Sequence, residues 1–194
     1  MKESVSVQVE FDEGILTPEG DEVVCPVYTV PLNEFRLREY CKEHEITCYL
    51  PLKKTWKVHN VTSKGKSYGY SHEVMRPMFP SYVFVKMDAQ KKAKLWSSHT
   101  IVAFLVPSTQ ESFLEDIRIV RACELAGMEH ELEFNAEIRV KDRFVIQSGV
   151  WEGITGWLEK KENRFRWTVQ LEFQHQTISS IINQAEYKMT RLEE

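Results

Sequence analysis

Arg76-Pro77-Met78-Phe79-Pro80-Ser81 runs directly into Tyr82-Val83-Phe84-Val85-Lys86. Two prolines within four residues lock φ and remove two backbone donors, so the segment before Ser81 is unsuited to the interior of a sheet. From Tyr82 onward, aromatic and β-branched residues signal a strand. Phe79 therefore belongs to a stiff corner at which a sheet begins. A large apolar ring on such a corner either plugs a core or anchors a partner.

The flanking pattern extends this reading. Residues 27–31 form a short strand pattern, Asn33 is a candidate N-cap, and Leu37, Tyr40, Cys41 and His44 share one face of a helix. Residues 46–52 are strand-like up to Pro51. Residues 53–74 alternate on two arms about Ser63-Lys64-Gly65-Lys66, which predicts a long hairpin. A second unit follows: a strand over 82–87, a helix capped by Asp88, a strand over 101–106, and a helix opened by a Ser112/Glu115 capping box and ending at Gly127. The order predicts an α+β fold, a split β-α-β sandwich with an antiparallel sheet and an appended helix. Five short strand patterns over 139–146, 154–160, 164–173, 177–182 and 187–190 predict a small SH3-like barrel. The expected division is an acidic N-terminal extension over 1–25, with an alternating Ser4-to-Phe11 strand pattern, then a domain over 26–127, a linker over 128–136 and a barrel over 137–194.

Charge is distributed unevenly around a net of −4. Residues 1–25 hold one base against seven acids, and residues 53–76 hold six bases (Lys53, Lys54, Lys57, Lys64, Lys66, Arg76) against Glu73. The hairpin is thus the candidate nucleic-acid surface, with Trp56, Tyr68 and Tyr70 available to stack on bases. A solvated hairpin that merely prevents edge pairing is the competing reading. Arg36, Arg38 and Lys42 on the first helix are a second basic set, equally readable as an ordinary charged helix face. The barrel holds nine bases and nine acids, which suits a protein partner better than RNA.

Several classes are unsupported. The four cysteines form no C-x-x-C pair, and the histidines have no ligand spacing, so no metal or cofactor is expected. No nucleophile–base constellation, Walker loop or dinucleotide fingerprint occurs, and no catalytic residues are assigned. No apolar run approaches a membrane span, so a cytoplasmic monomer with reduced thiols is expected.

Gly149-Val150-Trp151-Glu152-Gly153-Ile154-Thr155-Gly156, with the preceding alternating strand and the following Trp157-Leu158, resembles a KOW motif. Joined to Phe79-Pro80-Ser81-Tyr82-Val83-Phe84-Val85, and to Val27-Tyr28-Thr29-Val30 and Cys48-Tyr49-Leu50-Pro51-Leu52, it makes the chain similar to the NusG family of transcription factors over residues 26–194. Ser81 stands where the family usually has Gly, Val27 replaces a leading Trp, Val150 a frequent Pro, and Ser97-Ser98-His99-Thr100 the usual Arg and Gly. These departures resemble a specialised paralogue of the RfaH-like antiterminator kind.

The resemblance implies a non-enzymatic elongation factor that docks on the clamp helices of the RNA polymerase largest subunit and suppresses pausing or termination. Tyr28, Phe79, Pro80, Tyr82, Phe84 and Phe104 would line the clamp-helix site, and His99 and Thr100 would touch the gate loop. Phe84 and Phe104 can equally be core, whereas Phe79, on its turn, is expected to be an accessible anchor beside an open hollow. The basic hairpin and Arg36, Arg38 and Lys42 would face upstream or non-template DNA. Gly149, Trp151, Gly153 and Gly156 would form the KOW motif of a barrel that binds a ribosomal protein or termination factor. The alternative is a ribosome- or RNA-associated KOW protein that makes no polymerase contact.

Overall fold

The structure, a computed structural model, describes residues 9–63, 66–134, 143–161 and 164–192. Most of the expected strand at the N-terminus, the hairpin tip at Lys64-Gly65 and the start of the first barrel strand lie outside these residues.

Four strands, β1 (Val23–Thr29), β2 (Cys48–Tyr49), β5 (Tyr82–Met87) and β6 (Ile101–Phe104), form an antiparallel sheet in the order β2-β5-β1-β6. Among the described residues, strands β3 (Leu52–Ser63) and β4 (Lys66–Pro77) pair only with each other, as a separate hairpin of twelve registered pairs. Strand alternation sends Val83, Val85 and Met87 to one face of the sheet, where they pack with Leu37 and Cys41 of α1 (Glu34–Glu43) and Leu95 of α2 (Ala89–Trp96). Phe84 goes to the other face, against Phe113, Ile117 and Val120 of α3 (Gln110–Glu129).

Helix α3 ties these layers together through Glu124, which is fully buried. Its carboxylate accepts hydrogen bonds from the Tyr49 hydroxyl at 2.8 Å, the Leu52 N–H at 2.7 Å and Arg121 at 2.6 Å. Burial raises the Glu124 carboxyl above its ordinary value, and the three donors act against that rise.

Beyond α3, β7 (Leu132–Phe134), β8 (Arg143–Ile146), β9 (Thr155–Lys161), β10 (Arg164–Gln170), β11 (Thr177–Ile182) and β12 (Met189–Leu192) form a six-stranded antiparallel sheet in the order β12-β8-β9-β10-β11-β7. This is the expected α+β fold with its barrel-like C-terminal part. The barrel and the α3 face of the first sheet share one continuous apolar cluster, running from Phe84 and Ile117 to Trp151, Trp167 and Val169.

Local expectations changed in several places. Residues 9–22 of the expected N-terminal extension pack onto the first domain: Ile15 is fully buried and Phe11 meets the Tyr49 ring edge-on at 4.9 Å. Glu22 bonds Lys91 at 2.5 Å, and that bond, with the Glu19 N–H, holds its carboxyl down at about 2. Strand β1 begins at Val23, three residues before the expected domain boundary. Asn33 precedes α1 but makes no side-chain cap; its amide N–H donates to the Pro31 carbonyl. Asp88 does cap α2, accepting the Lys91 N–H at 2.8 Å. Ser112 opens no capping box, since α3 begins at Gln110 and the Ser112 hydroxyl bonds Glu172 of the barrel instead. Nor does Gly127 end the helix. It is small because Leu132 sits where a Cβ would go, at 2.9 Å, and that contact brings β7 into the stretch expected to be linker.

Ser81 has φ of +66°, a left-handed conformation that costs an L-residue about 1–2 kcal/mol. The buried Glu34 carboxylate holds it there by accepting the Ser81 N–H at 2.6 Å. Ser81→Gly is expected to raise stability by about 1 kcal/mol in denaturant unfolding without moving the corner. Gly156 is constrained in the opposite sense: an added Cβ would lie 2.5 Å from the Thr168 carbonyl oxygen and 2.8 Å from the Trp167 ring. Gly156→Ala is expected to cost about 2 kcal/mol or more, seen as a lower Tm reported by Trp fluorescence.

Candidate functional site

The corner is built as its prolines require. The Met78 N–H reaches the Pro51 carbonyl at 2.8 Å, and the Tyr82 N–H closes the turn on the Phe79 carbonyl at 3.2 Å. Pro80 is exposed at its tip. Phe79 points inward and is only 2% exposed. The expected accessible anchor beside an open hollow is therefore not what the structure shows.

The hollow is filled by the barrel. Between β10 and β11 the chain makes a turn at Phe173–His175, and the Phe173 ring enters the aromatic face of the first sheet. It lies 5.5 Å from Phe79, 5.4 Å from Tyr82, 5.4 Å from Phe84 and 6.1 Å from Phe113, each contact steeply edge-on. Phe134 of β7 closes the far side, 6.5 Å from Phe79. Edge-to-face pairs of this kind are each worth about 0.5–1.5 kcal/mol beyond the area they bury.

A polar latch holds the turn. The Asp116 carboxylate, on α3, accepts the N–H groups of Glu172 at 3.0 Å and Phe173 at 2.6 Å. Gln174 and His175 both take left-handed φ, at +56° and +49°. Two successive non-glycine residues in that region is a conformation maintained by what surrounds it. Burial raises the Asp116 carboxyl above its ordinary value, and the two N–H bonds only partly offset this.

The other expected contacts are divided. Tyr28 and Tyr82 are half-buried neighbours across β1 and β5, with rings 5.3 Å apart, and share the face that Phe79 and Phe84 line. Phe84 is core, at 1% exposure. Phe104 lies on the opposite side of the sheet, under Trp96 and Lys92, so it does not join that set. His99 is exposed in a turn with φ of +54°, whereas Thr100 is buried, its hydroxyl 2.9 Å from that of Ser98 and its carbonyl accepting the Val30 N–H. Thr100 thus offers no side chain to a partner.

The basic residues also sort by use. Lys53 lies over the Phe134 ring at 3.9 Å, and burial lowers the pKa of its amine. Lys54 donates to the Met128 carbonyl at 2.7 Å. Both pin the hairpin base to the end of α3 and to β7, and neither is a free phosphate ligand. Lys57 and Arg76 are exposed. Lys64 and the Lys66 side chain lie outside the described residues. On α1, Arg38 pairs with Glu39 and lies against Phe35, while Lys42 pairs with Glu10 at 2.7 Å. Arg36 is exposed and outside these pairs.

The KOW residues form the barrel's architecture. Gly149 and Gly153 have φ of +77° and +80°, and Trp151 is fully buried, meeting Trp167 at 6.5 Å. Sequence reasoning missed Phe173, Asp116 and Phe134. The available signal for Phe173 was a large aromatic in the polar turn Glu172-Phe173-Gln174-His175-Gln176, where no barrel core could reach it.

A family model described as "Transcription termination factor nusG" matches residues 26–122, half of the chain. A search of curated proteins found no match. No helix among the described residues is long and apolar enough to cross a membrane.

The Asp116 latch has a defined pH sign. Its carboxyl value is raised when the barrel is docked, so its contribution is fully present below the ordinary carboxylate range and is lost as pH rises through the raised value. Docking, read by protease resistance of the chain between α3 and the barrel, is expected to tighten on mild acidification. Asp116→Asn is expected to remove that dependence, and Asp116→Ala to loosen docking at every pH by leaving two N–H groups without an acceptor.

Proposed function

Because the chain belongs to the NusG family, whose members regulate transcription termination and elongation, we propose that it is an elongation factor of the specialised antiterminator kind whose polymerase-binding face is covered by its own barrel. The observation that carries this reading is the seat of Phe173. A separate sheet places one ring against Phe79, Tyr82, Phe84 and Phe113, on the face where the resemblance puts the clamp-helix site. An apolar face able to receive a ring from the barrel can receive side chains of a helix pair in its place.

In this reading the barrel and the clamp helices compete for one surface. Release of Phe173 exposes Tyr28, Phe79 and Tyr82 to the polymerase. His99, exposed in its turn, remains a contact for the gate loop in either state, and Arg36 and the hairpin face upstream or non-template DNA. The freed barrel then offers the surface it had turned toward α3 to a ribosomal protein or termination factor. The chemistry is recognition and steric coupling, with no bond made or broken by this chain.

Phe173 is half-buried, so truncating it is expected to cost less than the about 3–5 kcal/mol of a core Phe, and a loss of about 1.4 kcal/mol already shifts the closed-to-open ratio about tenfold. The expected result is a rise in affinity for an isolated clamp-helix fragment of the polymerase, measured by calorimetry, and its loss when Phe79→Ala is added. A Phe173→Ala protein that is open by proteolysis, yet still does not bind the fragment, would overturn the reading in favour of a ribosome- or RNA-associated KOW protein.

A further inference from the structure

Two of the four cysteines come together on the α1 side of the first sheet. The chain reverses directly after Cys41. Its carbonyl accepts the Ile46 N–H at 2.8 Å and the His44 N–H at 3.2 Å, and Glu45 takes a left-handed φ of +56° in the turn. Strand β2 then opens with Cys48, opposite Val85 of β5. Cys41 and Cys48, seven positions apart, thereby join one apolar cluster with Leu37 and Val85. Their side chains are in hydrogen-bond contact with each other.

The two thiols are not equivalent. Cys41 is fully buried, whereas Cys48 is partly exposed. The bond to Cys48, and burial after it, push the Cys41 thiol well above its ordinary value, so Cys41 is held protonated. A cleft of about 600 Å³ between α1 and the Phe11-Asp12 segment is lined by both cysteines, with Arg38 and Lys42 beside them. Cys25 and Cys123 provide the contrast. Both are fully buried, burial raises both thiols, and neither lines the cleft.

We infer that Cys41 and Cys48 form a peroxide-sensitive dithiol, in which Cys48 is the sulfur first oxidised and Cys41 the buried partner that resolves it to an intramolecular disulfide. The oxidant is hydrogen peroxide, which is small enough for the cleft. The Cys48 sulfur attacks as its thiolate, the O–O bond breaks, and the displaced hydroxide recovers the released proton as water, leaving a sulfenic acid. The Cys41 sulfur then attacks that sulfur, the S–O bond breaks, and the hydroxyl departs with the Cys41 proton as a second water. Two thiols give up two electrons and two protons, and one peroxide becomes two waters. A second thiol already in contact diverts the sulfenic acid from irreversible oxidation to sulfinic acid. The new bond pins the last turn of α1 to the edge strand β2. Tyr49 alternates to the opposite face, where the barrel docks, so the pair is separate from the Phe173 junction and does not depend on the polymerase reading.

The test uses the full-length protein, treated with hydrogen peroxide, quenched with catalase, then unfolded and blocked with a maleimide. Free thiols are expected to fall from four to two, with residues 41 and 48 crosslinked in one peptide by mass spectrometry and released by dithiothreitol. Cys41→Ser is expected to leave Cys48 as a sulfenic acid that dimedone captures. Cys48→Ser is expected to leave Cys41 a thiol. The wild-type crosslink decides the matter without either variant, so a variant that fails to fold leaves the test intact. Four thiols remaining after peroxide, a disulfide that includes Cys25 or Cys123 or links two copies of the chain, or wild-type Cys48 sulfinic acid beside a Cys41 thiol would each overturn the inference.

Discussion

One ring governs how this molecule is put together. Phe173 joins the barrel to the first sheet by occupying a depression whose walls, Phe79, Tyr82, Phe84 and Phe113, come from the proline corner, β5 and α3. Because those walls belong to the core of one part and the plug to a turn of another, the two share a single apolar cluster while keeping separate hydrogen-bonded sheets. Backbone pairing makes each sheet strongly cooperative, whereas the contact between them rests on side chains and on the few polar bonds around Asp116. A junction of that kind opens at a lower cost than either sheet unfolds.

Helix α3 is the element that makes this arrangement possible. One side of it faces the first sheet, where Glu124 ties it to β2 and β3. Asp116 on the same helix reaches the barrel turn. Both carboxyls are buried and raised above their ordinary values, but for different purposes. Glu124 also has the Arg121 guanidinium at 2.6 Å and so keeps a compensating charge. Among the described residues, Asp116 is held by two backbone N–H groups from the barrel and loses both when the barrel leaves. A carboxylate freed in that way regains water as its solvent, so opening costs less than the hydrogen-bond distances alone imply.

The parts of this fold that follow from local chemistry were legible in the sequence. Alternation placed β5 and the barrel strands within a few residues, Asp88 capped α2 as expected, and the paired prolines set the corner. Longer-range causes were not. The orientation of Phe79 depends on a phenylalanine 94 positions later, and no periodicity encodes that. Ser112 and Glu115 have the spacing of a capping box, but the hydroxyl is taken by Glu172, a contact that exists only once the barrel is docked. Lysines 53 and 54 looked like free charges because composition records charge without recording what a side chain lies against. At Ser81 the residue type pointed away from a left-handed turn, and the compensating Glu34 is 47 positions away.

The hairpin illustrates how geometry refines composition. Six bases in 24 residues mark a basic segment, yet a two-stranded sheet has two faces, and its register decides which charges act together. Lys54 and Glu73 are engaged with each other on one side, and Lys53 is covered by Phe134 at the base. Among the described side chains, what remains is a smaller set, Lys57 and Arg76, beside rings already aligned with one another. Fewer charges mean a weaker general attraction to polyanions. The same sorting by register keeps the exposed bases of one hairpin face apart from the acids of a chain whose overall charge is −4: Glu73 lies on the reverse face with Lys54, and Glu10 and Glu22 are paired with Lys42 and Lys91.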